Sequence, residues 1–248
     1  MRAHSDMPVA AITGAAGGIG SAVAERFASS GYQLALLDRI HPEMPEDSQG
    51  SSFKTDLTDP SAVSQTFKEI EAQFGRLNAL VNVAGINHKS SVAEMAVEDW
   101  DRMMNTNVGS MFLTAKYGVP LLEKGKQSAI VNMASVSGHV ASADYPAYVT
   151  TKAAVESFTI ALSQEIGDRG IRVNAVAPGW VDAGFTDEAK AAAKDPATLD
   201  AAAKKAHLLG RMAMPSEVAD AIIWLCSQKA VFMTGQILFV DGGFMRNH

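Results

Sequence analysis

The pattern of apolar positions divides the chain into short strand-like runs and longer helix-like stretches. Several short runs are apolar at consecutive positions, which is typical of strands covered by helices on both faces of a sheet. The predicted strands are residues 8–13, 33–38, 51–56, 77–85, 128–135, 171–178 and 236–242. The predicted helices lie in the gaps between them, at 18–30, 60–74, 96–118, 147–167 and 215–227.

This alternation of strand and helix predicts the fold class. Strands that are joined through helices by right-handed crossovers form a parallel sheet. We therefore expect an α/β protein with a doubly wound, mostly parallel, seven-stranded sheet and helices on both faces. An α/β chain of 248 residues is often one domain, so residues 1–248 are expected to form a single unit.

Two connections depart from the rhythm. Residues 39–50 contain two prolines and no apolar periodicity, which predicts a loop without a full helix. Residues 180–210 form a long insertion rich in alanine and charged residues. Such a segment is either a lid over a site, the interpretation that we favour, or a helical hairpin on the surface.

Composition and charge narrow the functional classes. A formal charge of −6 argues against a nucleic-acid surface, which would need clustered lysines and arginines. The six histidines are scattered and there is one cysteine, so we expect no metal site. No apolar stretch approaches the ~18 residues of a membrane span, and we expect no signal peptide. A cytoplasmic protein without membrane contact is the expectation.

A glycine-rich turn follows the first predicted strand. The segment TGAAGGIG, residues 13–20, places Gly14, Gly18 and Gly20 where the strand gives way to a helix. Glycines let the backbone approach a bulky anion, and a helix N-terminus offers N–H groups to a pyrophosphate. Taken alone, the segment could be a purely structural turn. The order strand, turn, helix favours dinucleotide binding.

Acidic and polar residues end the next predicted strands. An acid at Asp38 would accept hydrogen bonds from the adenosine ribose and repel a 2′-phosphate, which favours NAD over NADP. The neighbouring Arg39 could pair with that phosphate and weaken the preference. Asp56 and Asn82 end the third and fourth strands, where they either contact the cofactor or cap the strand ends.

Tyr148 and Lys152 are spaced for proton transfer. A separation of four residues places both side chains on one face of a helix, and Ser135 ends the preceding strand. A nearby ammonium would lower the pKa of the phenol from its ordinary value of ~10. Tyr148 would then act as general acid/base for an alcohol–ketone pair, with Ser135 holding the substrate oxygen. By itself, a Tyr–Lys pair could equally be an ordinary side-chain contact.

Taken together, these motifs resemble the short-chain dehydrogenase/reductase family. The resemblance rests on 13–20, on Asn82-Val83-Ala84-Gly85, on Ser135, on Tyr148 to Lys152, on PGWV at 178–181 and on TGQILFVDGG at 234–243. It implies a single Rossmann-type domain and the catalytic residues Asn107, Ser135, Tyr148 and Lys152. The cofactor-binding residues that it implies are Gly14, Gly17, Gly18, Ile19, Gly20, Asp38, Asp56, Leu57, Asn82, Ala84, Gly85, Tyr148, Lys152, Pro178 and Val181.

The chain departs from the family pattern at several positions. The family often has a threonine at the position of Asp182, where it contacts the nicotinamide, and Thr186 is a candidate to replace it. Val83 stands where a second asparagine is common. The loop at 39–50 is too short for the helix usually found there, which would leave the adenosine pocket more open.

The resemblance implies an NAD-dependent oxidoreductase that interconverts a secondary alcohol and its ketone by hydride transfer. The alternatives are an NADPH-dependent 3-oxoacyl-type reductase, a methyltransferase and a non-catalytic NAD-sensing protein. The substrate is expected between the loops at 86–95 and 136–147 and the lid. The residues predicted to line its site are His88, His139, Tyr145 and Trp180.

Family members are usually tetramers, so a homotetramer is expected. The helices around 96–118 and 147–167 would pair between subunits. Small or apolar residues on one face of the second helix favour such pairing, although packing within the subunit would explain them too. They are Ala147, Thr151, Ala154 and Phe158.

Overall fold

The computed structural model describes residues 7–141, 143–183 and 196–247. The strands are β1 Val9–Thr13, β2 Gln33–Asp38, β3 Gln49–Lys54, β4 Ala79–Asn82, β5 Ala129–Met133, β6 Arg172–Pro178 and β7 Ile237–Val240. The helices are α1 Gly18–Ser29, α2 Pro60–Phe74, α3 Val97–Met104, α4 Ser110–Lys124, α5 Pro146–Ile166, α6 Pro196–Ala206 and α7 Pro215–Cys226. None of the described helices is both long enough and apolar enough to cross a bilayer.

The strands form one seven-stranded sheet in the order β3-β2-β1-β4-β5-β6-β7. Every neighbouring pair is parallel. The predicted doubly wound parallel sheet is therefore confirmed. The strand order reverses between β1 and β4, and a crevice opens at the carboxyl ends of the strands at such a point.

Both faces of the sheet are buried. In β2, Leu34 and Leu36 pack into the core on one face, while Ala35 and Leu37 pack into the core on the other. The first core includes residues of α1 and α7, and the second includes residues of α2, α4 and α5. Successive strand residues point to opposite faces, so the consecutive apolar positions in the sequence reflect helices on both sides.

Strand boundaries differ from the prediction by two residues or more at β3, β4, β5 and β7, and β5 and β7 end at Met133 and Val240 instead of 135 and 242. β3 begins two residues earlier than predicted because Gln49 pairs with Gln33 of β2. β4 ends at Asn82, short of the predicted 85. The N–H groups of Val83 and Ala84 donate to the Thr13 hydroxyl, at 3.1 and 3.3 Å, instead of continuing the strand ladder.

The connections agree with the prediction at 39–50, where the structure has no helix and β3 begins at Gln49. The predicted helix over 96–118 is interrupted by a π-helical segment, Asn105–Gly109, and continues to Lys124. In the region predicted as a lid, α6 occupies Pro196–Ala206. Residues 184–195, and with them Thr186, lie outside the described residues, so the lid stays a prediction.

Candidate active site

The glycine-rich turn between β1 and α1 lies at the carboxyl edge of the sheet, beside the loop that follows β4. Gly14 has a φ of +66°, and a Cβ there would lie 2.7 Å from the Ala84 nitrogen. A Cβ on Gly20 would clash with the carbonyl of Gly14. Only glycines allow these approaches, which bring the start of α1 against the crevice.

The N-terminus of α1 is open to a ligand. Gly17 is its N-cap and contributes no side-chain cap. The first N–H groups of a helix have no partner within the helix, and together with the helix dipole they favour an anion. Gly17, Gly18, Ile19 and Gly20 are therefore placed as the predicted pyrophosphate contacts require.

Asp38 lies beside this turn at the end of β2. Its Oδ2 accepts a hydrogen bond from the Ala16 N–H at 3.1 Å, and its Oδ1 accepts one from the Ile40 N–H at 3.3 Å. The side chain is partly exposed. Two backbone donors thus hold the carboxylate against the predicted phosphate loop, with part of its surface open to a ligand.

Asp56 and Leu57 follow β3 at the same edge. The hydroxyl and the N–H of Thr58 both donate to Oδ1 of Asp56, at 2.7 and 2.9 Å. These hydrogen bonds lower the pKa of the Asp56 carboxyl, the side-chain bond contributing most. Leu57 is buried. The adenine contact predicted for this pair stays a prediction.

The side chain of Asn82 belongs to a buried hydrogen-bond network. Its Nδ2 donates to Oδ1 of Asn132 on β5 at 2.9 Å, and its Oδ1 accepts from the Thr114 hydroxyl at 2.8 Å. Asn132 in turn donates to Thr159 on α5 at 3.0 Å. The Asn82 amide therefore ties the sheet to its helices, and the predicted cofactor contact would have to come from its backbone.

Lys152 lies on α5 one turn after Tyr148 and is 3% exposed. Its Nζ donates to the Met133 carbonyl at the end of β5, at 2.9 Å, and lies 5.5 Å from the centre of the Tyr148 ring. Burial lowers the pKa of Lys152 to about 8. Lysine and tyrosine thus lie side by side at the carboxyl edge, as their spacing predicts.

Burial raises the pKa of Tyr148 to about 12, and a side-chain hydrogen bond with Ser135 opposes that rise. The lowering of this pKa that we expect from Lys152 stays a prediction. Tyr148 is partly exposed, and the Lys152 amine is directed to the Met133 carbonyl.

Ser135 follows β5 and caps a short 3₁₀ turn, Val136–Gly138, by accepting a hydrogen bond from the Ser137 N–H at 3.1 Å. Its hydroxyl is also within hydrogen-bond reach of Tyr148. The structure thus brings Ser135, Tyr148 and Lys152 together from two elements. We call residues 135–139 the serine turn.

Asn107 lies in the π-helical segment and is fully buried. Its Oδ1 accepts from the Ile86 N–H at 2.7 Å, and its Nδ2 donates to the Ile86 carbonyl at 2.9 Å. Nδ2 also lies 3.0 Å from the Thr151 hydroxyl on α5. A π turn inserts one residue into a helix and is frequent at functional sites.

Gly85 is the point where two of the predicted catalytic residues, Asn107 and Lys152, approach each other. A Cβ at this position would lie 3.3 Å from Oδ1 of Asn107 and 3.7 Å from Nζ of Lys152. The loop after β4, the π-helical segment and α5 therefore converge on one small volume.

The segment after β6 is in contact with His207, a residue that the sequence analysis did not single out. Pro178 ends β6, and the Trp180 N–H donates to Nε2 of His207 at 3.1 Å. A Cβ on Gly179 would lie 2.6 Å from that same Nε2. The glycine signals a close approach, but the sequence could not show that His207, which is buried beyond α6, makes it.

The residues predicted to line the substrate site have partners in the protein. His88 Nε2 lies 3.4 Å from Asp99 on α3, and His139 Nε2 lies 2.7 Å from Glu156 on α5. Tyr145 is the N-cap residue of α5 and is partly buried. Its lining role and those of His88, His139 and Trp180 stay predictions.

The two predicted substrate loops contact each other. The Ser90 N–H donates to the Asp144 carbonyl at 2.8 Å. Beside this contact lies a cavity of about 320 Å³ whose lining is mainly apolar. It is lined by Ser91, Val92, Ala141, Ala143, Asp144, Pro146 and Val149.

Comparison with known proteins gives consistent matches over nearly the whole chain. The family model described as Enoyl-(Acyl carrier protein) reductase matches residues 14–245. The 3-oxoacyl-[acyl-carrier-protein] reductase of Thermotoga maritima is 32% identical over 245 residues, covering 96% of this chain and 97% of the relative. The enzyme of the same name from Vibrio cholerae is 34% identical over 240 residues, covering 95% and 96%.

Two solved structures are also similar to this chain over nearly its whole length. The ligand-free aldohexose dehydrogenase of Thermoplasma acidophilum has a TM-score of 0.90 at 30% identity, covering 98% of this chain and 95% of that one. A short-chain type dehydrogenase/reductase from Mycobacterium marinum has a TM-score of 0.87 at 29% identity, covering 96% and 95%.

Proposed function

This chain belongs to the short-chain dehydrogenase/reductase family, and we propose that it is an NAD-dependent oxidoreductase that interconverts a secondary alcohol and its ketone. The single observation that carries the proposal is the clustering of Ser135, Tyr148 and Lys152, with Asn107 and Lys152 both bordering the space beside Gly85. A binding protein would need the glycine turn and Asp38 without needing these four side chains together.

In the proposed mechanism each residue acts on one atom. The Ser135 hydroxyl holds the substrate oxygen, and the Tyr148 phenol donates its proton to that oxygen or accepts it. Lys152 is placed to exchange a proton with Tyr148 and, by its charge, to favour the phenolate. Asn107 fixes the backbone of Ile86 beside them. The bound nicotinamide would supply or accept the hydride.

The raised pKa of Tyr148 supports ketone reduction as the direction of the reaction. The pKa of Tyr148, raised to about 12 by burial, keeps the phenol neutral at pH 7. A neutral phenol is the acid that ketone reduction requires. Alcohol oxidation needs the phenolate, and a cation ~4 Å away in a medium of effective dielectric ~20 would contribute about 4 kcal/mol toward it.

The residues around the predicted adenosine site support NAD. The Asp38 carboxylate is fixed against the phosphate loop and would repel a 2′-phosphate. Position 16 of that loop is the neutral Ala16, and Arg39 is exposed beside Asp38. Gly14, Gly17 and Gly20 form the cradle that a pyrophosphate needs, so the chain fits a dinucleotide.

A second candidate is an NADPH-dependent 3-oxoacyl-type reductase. It is favoured by the names of the curated relatives, which are 3-oxoacyl-[acyl-carrier-protein] reductases. The Asp38 carboxylate argues against this candidate, because its negative charge would repel the 2′-phosphate of NADPH. The aldohexose dehydrogenase with a similar structure favours a hydroxylated substrate instead.

The proposal is tested by activity assays with NADH and NADPH against keto sugars, cyclic ketones, 2-keto acids and 3-oxoacyl thioesters, and with NAD⁺ and NADP⁺ against the alcohols. Turnover with NADH on a ketone supports the proposal. Turnover only with NADPH and a 3-oxoacyl thioester would establish the second candidate. NADH binding without turnover, with Tyr148→Phe binding NADH equally, would favour a non-catalytic NAD-binding protein.

We also propose a homotetramer. Exposed apolar side chains on α4, on α5 and on the edge strand β7 support it, namely Phe112, Ile160 and Phe239. The face of α5 that was predicted to pair between subunits gives the tetramer less support than expected. Ala147 and Thr151 are fully buried within the subunit, so packing within the chain explains them. Light scattering of the purified protein measures the number of subunits and tests this proposal. The predicted cytoplasmic location stays a prediction.

A further inference from the structure

Glu156 is a buried carboxylate that the proposed mechanism does not use. It lies on α5 one turn after Lys152 and is 8% exposed. Its Oε2 is 2.7 Å from His139 Nε2, whereas its Oε1 is buried without a hydrogen-bond partner. Burying a carboxylate oxygen without a partner costs free energy. The fold alone gives no reason for a carboxylate at this position.

The pair lies where the serine turn rests on α5. His139 is the last residue of that turn, which begins with Ser135. A Cβ on Gly138 would lie 2.8 Å from Oε1 of Glu156 and 3.3 Å from the carbonyl carbon of Lys152. The backbone of the turn therefore contacts the helix directly, between the catalytic lysine and Glu156.

The serine turn is attached to α5 at both of its ends. Ser135 is hydrogen bonded to Tyr148, and His139 is paired with Glu156. These partners are eight residues apart on α5, about 12 Å along the helix axis. One attachment would let the turn pivot about it, whereas two attachments that far apart fix its orientation.

We infer that Glu156 is a positioning residue for catalysis: by holding His139 it fixes the serine turn on α5, and so it sets the position of the Ser135 hydroxyl relative to the Tyr148 phenol. The inference rests on the proposed function and adds a residue to it. Glu156 touches neither of the reacting groups, and it acts through His139 and the backbone of the turn.

The surroundings of His139 favour this role over a substrate contact. Its ring is edge-on to Phe239 of β7, with ring centres 5.0 Å apart, and its Nε2 is occupied by Glu156. Two neighbours from different elements thus fix the ring. These contacts support His139 as the link between Glu156 and the serine turn, and its lining of the substrate site stays a prediction.

The test compares Glu156→Leu, Glu156→Gln and His139→Ala with the wild-type holoenzyme. Glu156→Leu removes the bond to His139 but leaves an apolar side chain of similar size, so we expect the melting temperature to hold. A misplacement of ~1 Å can cost about 100-fold in rate. We expect kcat to fall roughly 10- to 100-fold while the NADH dissociation constant stays unchanged.

The conservative and double variants sharpen the test. Glu156→Gln keeps an oxygen that accepts from His139, so it should retain most of the wild-type kcat. His139→Ala should match Glu156→Leu, and combining the two should cost no more than either alone, since both break one link. Glu71→Leu, which removes an exposed ion pair with Lys124, is the control for replacing a glutamate by leucine.

Several results would overturn the inference. For Glu156→Leu, these results are an unchanged kcat, or a loss of kcat accompanied by losses of melting temperature and NADH affinity. For the double variant, the result is a loss of kcat equal to the sum of the losses from Glu156→Leu and His139→Ala. A substrate KM that rises in His139→Ala but not in Glu156→Leu would also overturn the inference. Crystal structures of the wild type and Glu156→Leu test the same point without turnover. The inference requires the Ser135–Tyr148 hydrogen bond to be lost in the variant, and its persistence would refute the inference. Absence of turnover in the wild type would refute only the proposed function.

Discussion

Trp180 and His207 are joined by a hydrogen bond from the Trp180 N–H to Nε2 of the imidazole, 3.1 Å long. Because Nε2 accepts, the ring carries its proton on Nδ1, which lies 2.8 Å from the Ala203 carbonyl of α6. One neutral histidine thus joins the segment after β6 to the helix of the predicted lid. Protonation of the ring would replace the acceptor by a second donor.

Two replacements of His207 should show how much its hydrogen bond with the Trp180 N–H contributes to stability. His207→Gln can still accept from the Trp180 N–H, whereas His207→Ala leaves that partly buried donor without its partner, at a cost of up to about 1 kcal/mol in the free energy of unfolding. We also expect weaker NADH binding in the alanine variant. Urea unfolding and NADH titration measure both quantities. Equal losses in the two variants would show that the bond to Trp180 is unimportant.

Tyr148→Phe removes the proposed acid/base. We expect kcat to fall at least ~100-fold, the lower end of a general acid–base contribution. NADH binding should persist, since the ring and its packing remain. Steady-state rates and NADH fluorescence titration check the two expectations. Near-normal turnover by this variant would exclude Tyr148 as the acid/base.

Asp38→Ala should relax the preference for NADH over NADPH. The substitution removes a charge that would face the 2′-phosphate, so the ratio of kcat/KM for the two cofactors should shift by at least ~10-fold toward NADPH. Asp56→Ala is a useful control, because an adenine contact would weaken both cofactors alike. An unchanged ratio in Asp38→Ala would remove the argument for NAD.

Lys152 makes stability depend on pH. Burial lowers its pKa from 10.5 to about 8, so between these values the unfolded chain binds more protons than the folded protein. The Lys152 contribution to stability therefore rises with pH from about 8 to 10.5. Below about 8 the full cost of burying the ammonium is present.

Lys152→Met isolates this effect from the other titrating groups. The free energy of unfolding of the variant, minus that of the wild type, should be largest below pH 8. It should shrink by up to about 3 kcal/mol as the pH rises to 10.5. Denaturant melts across this range measure the difference, and a difference that does not vary with pH would contradict the lowered pKa of Lys152.

Local signals allowed the fold to be predicted from the sequence. The bounds of α2, residues 60–74, agree with the prediction because both ends carry their own signals. Asp59 accepts from the Ser61 N–H at 2.8 Å, and Gly75 ends the helix with a φ of 72°. Likewise, the consecutive apolar residues of β2 indicated a strand buried on both faces.

Tertiary contacts decided what could not be predicted. The π-helical segment depends on bonds from Asn107 to Ile86 and Thr151, which are distant in sequence. The partner of His139 is Glu156, on another element. The direction of the Tyr148 pKa shift depends on how closely the fold surrounds the ring, which residue spacing does not report.

The Asn107 side chain forms the two hydrogen bonds with the Ile86 backbone that a neighbouring strand would otherwise form. An amide offers a donor and an acceptor in the arrangement of a peptide group, so Asn107 satisfies both backbone groups of Ile86 where no strand continues. The chain can then leave the sheet with these polar groups paired. An aspartate there would set an oxygen against the Ile86 carbonyl oxygen, so this pairing requires the amide nitrogen of Asn107.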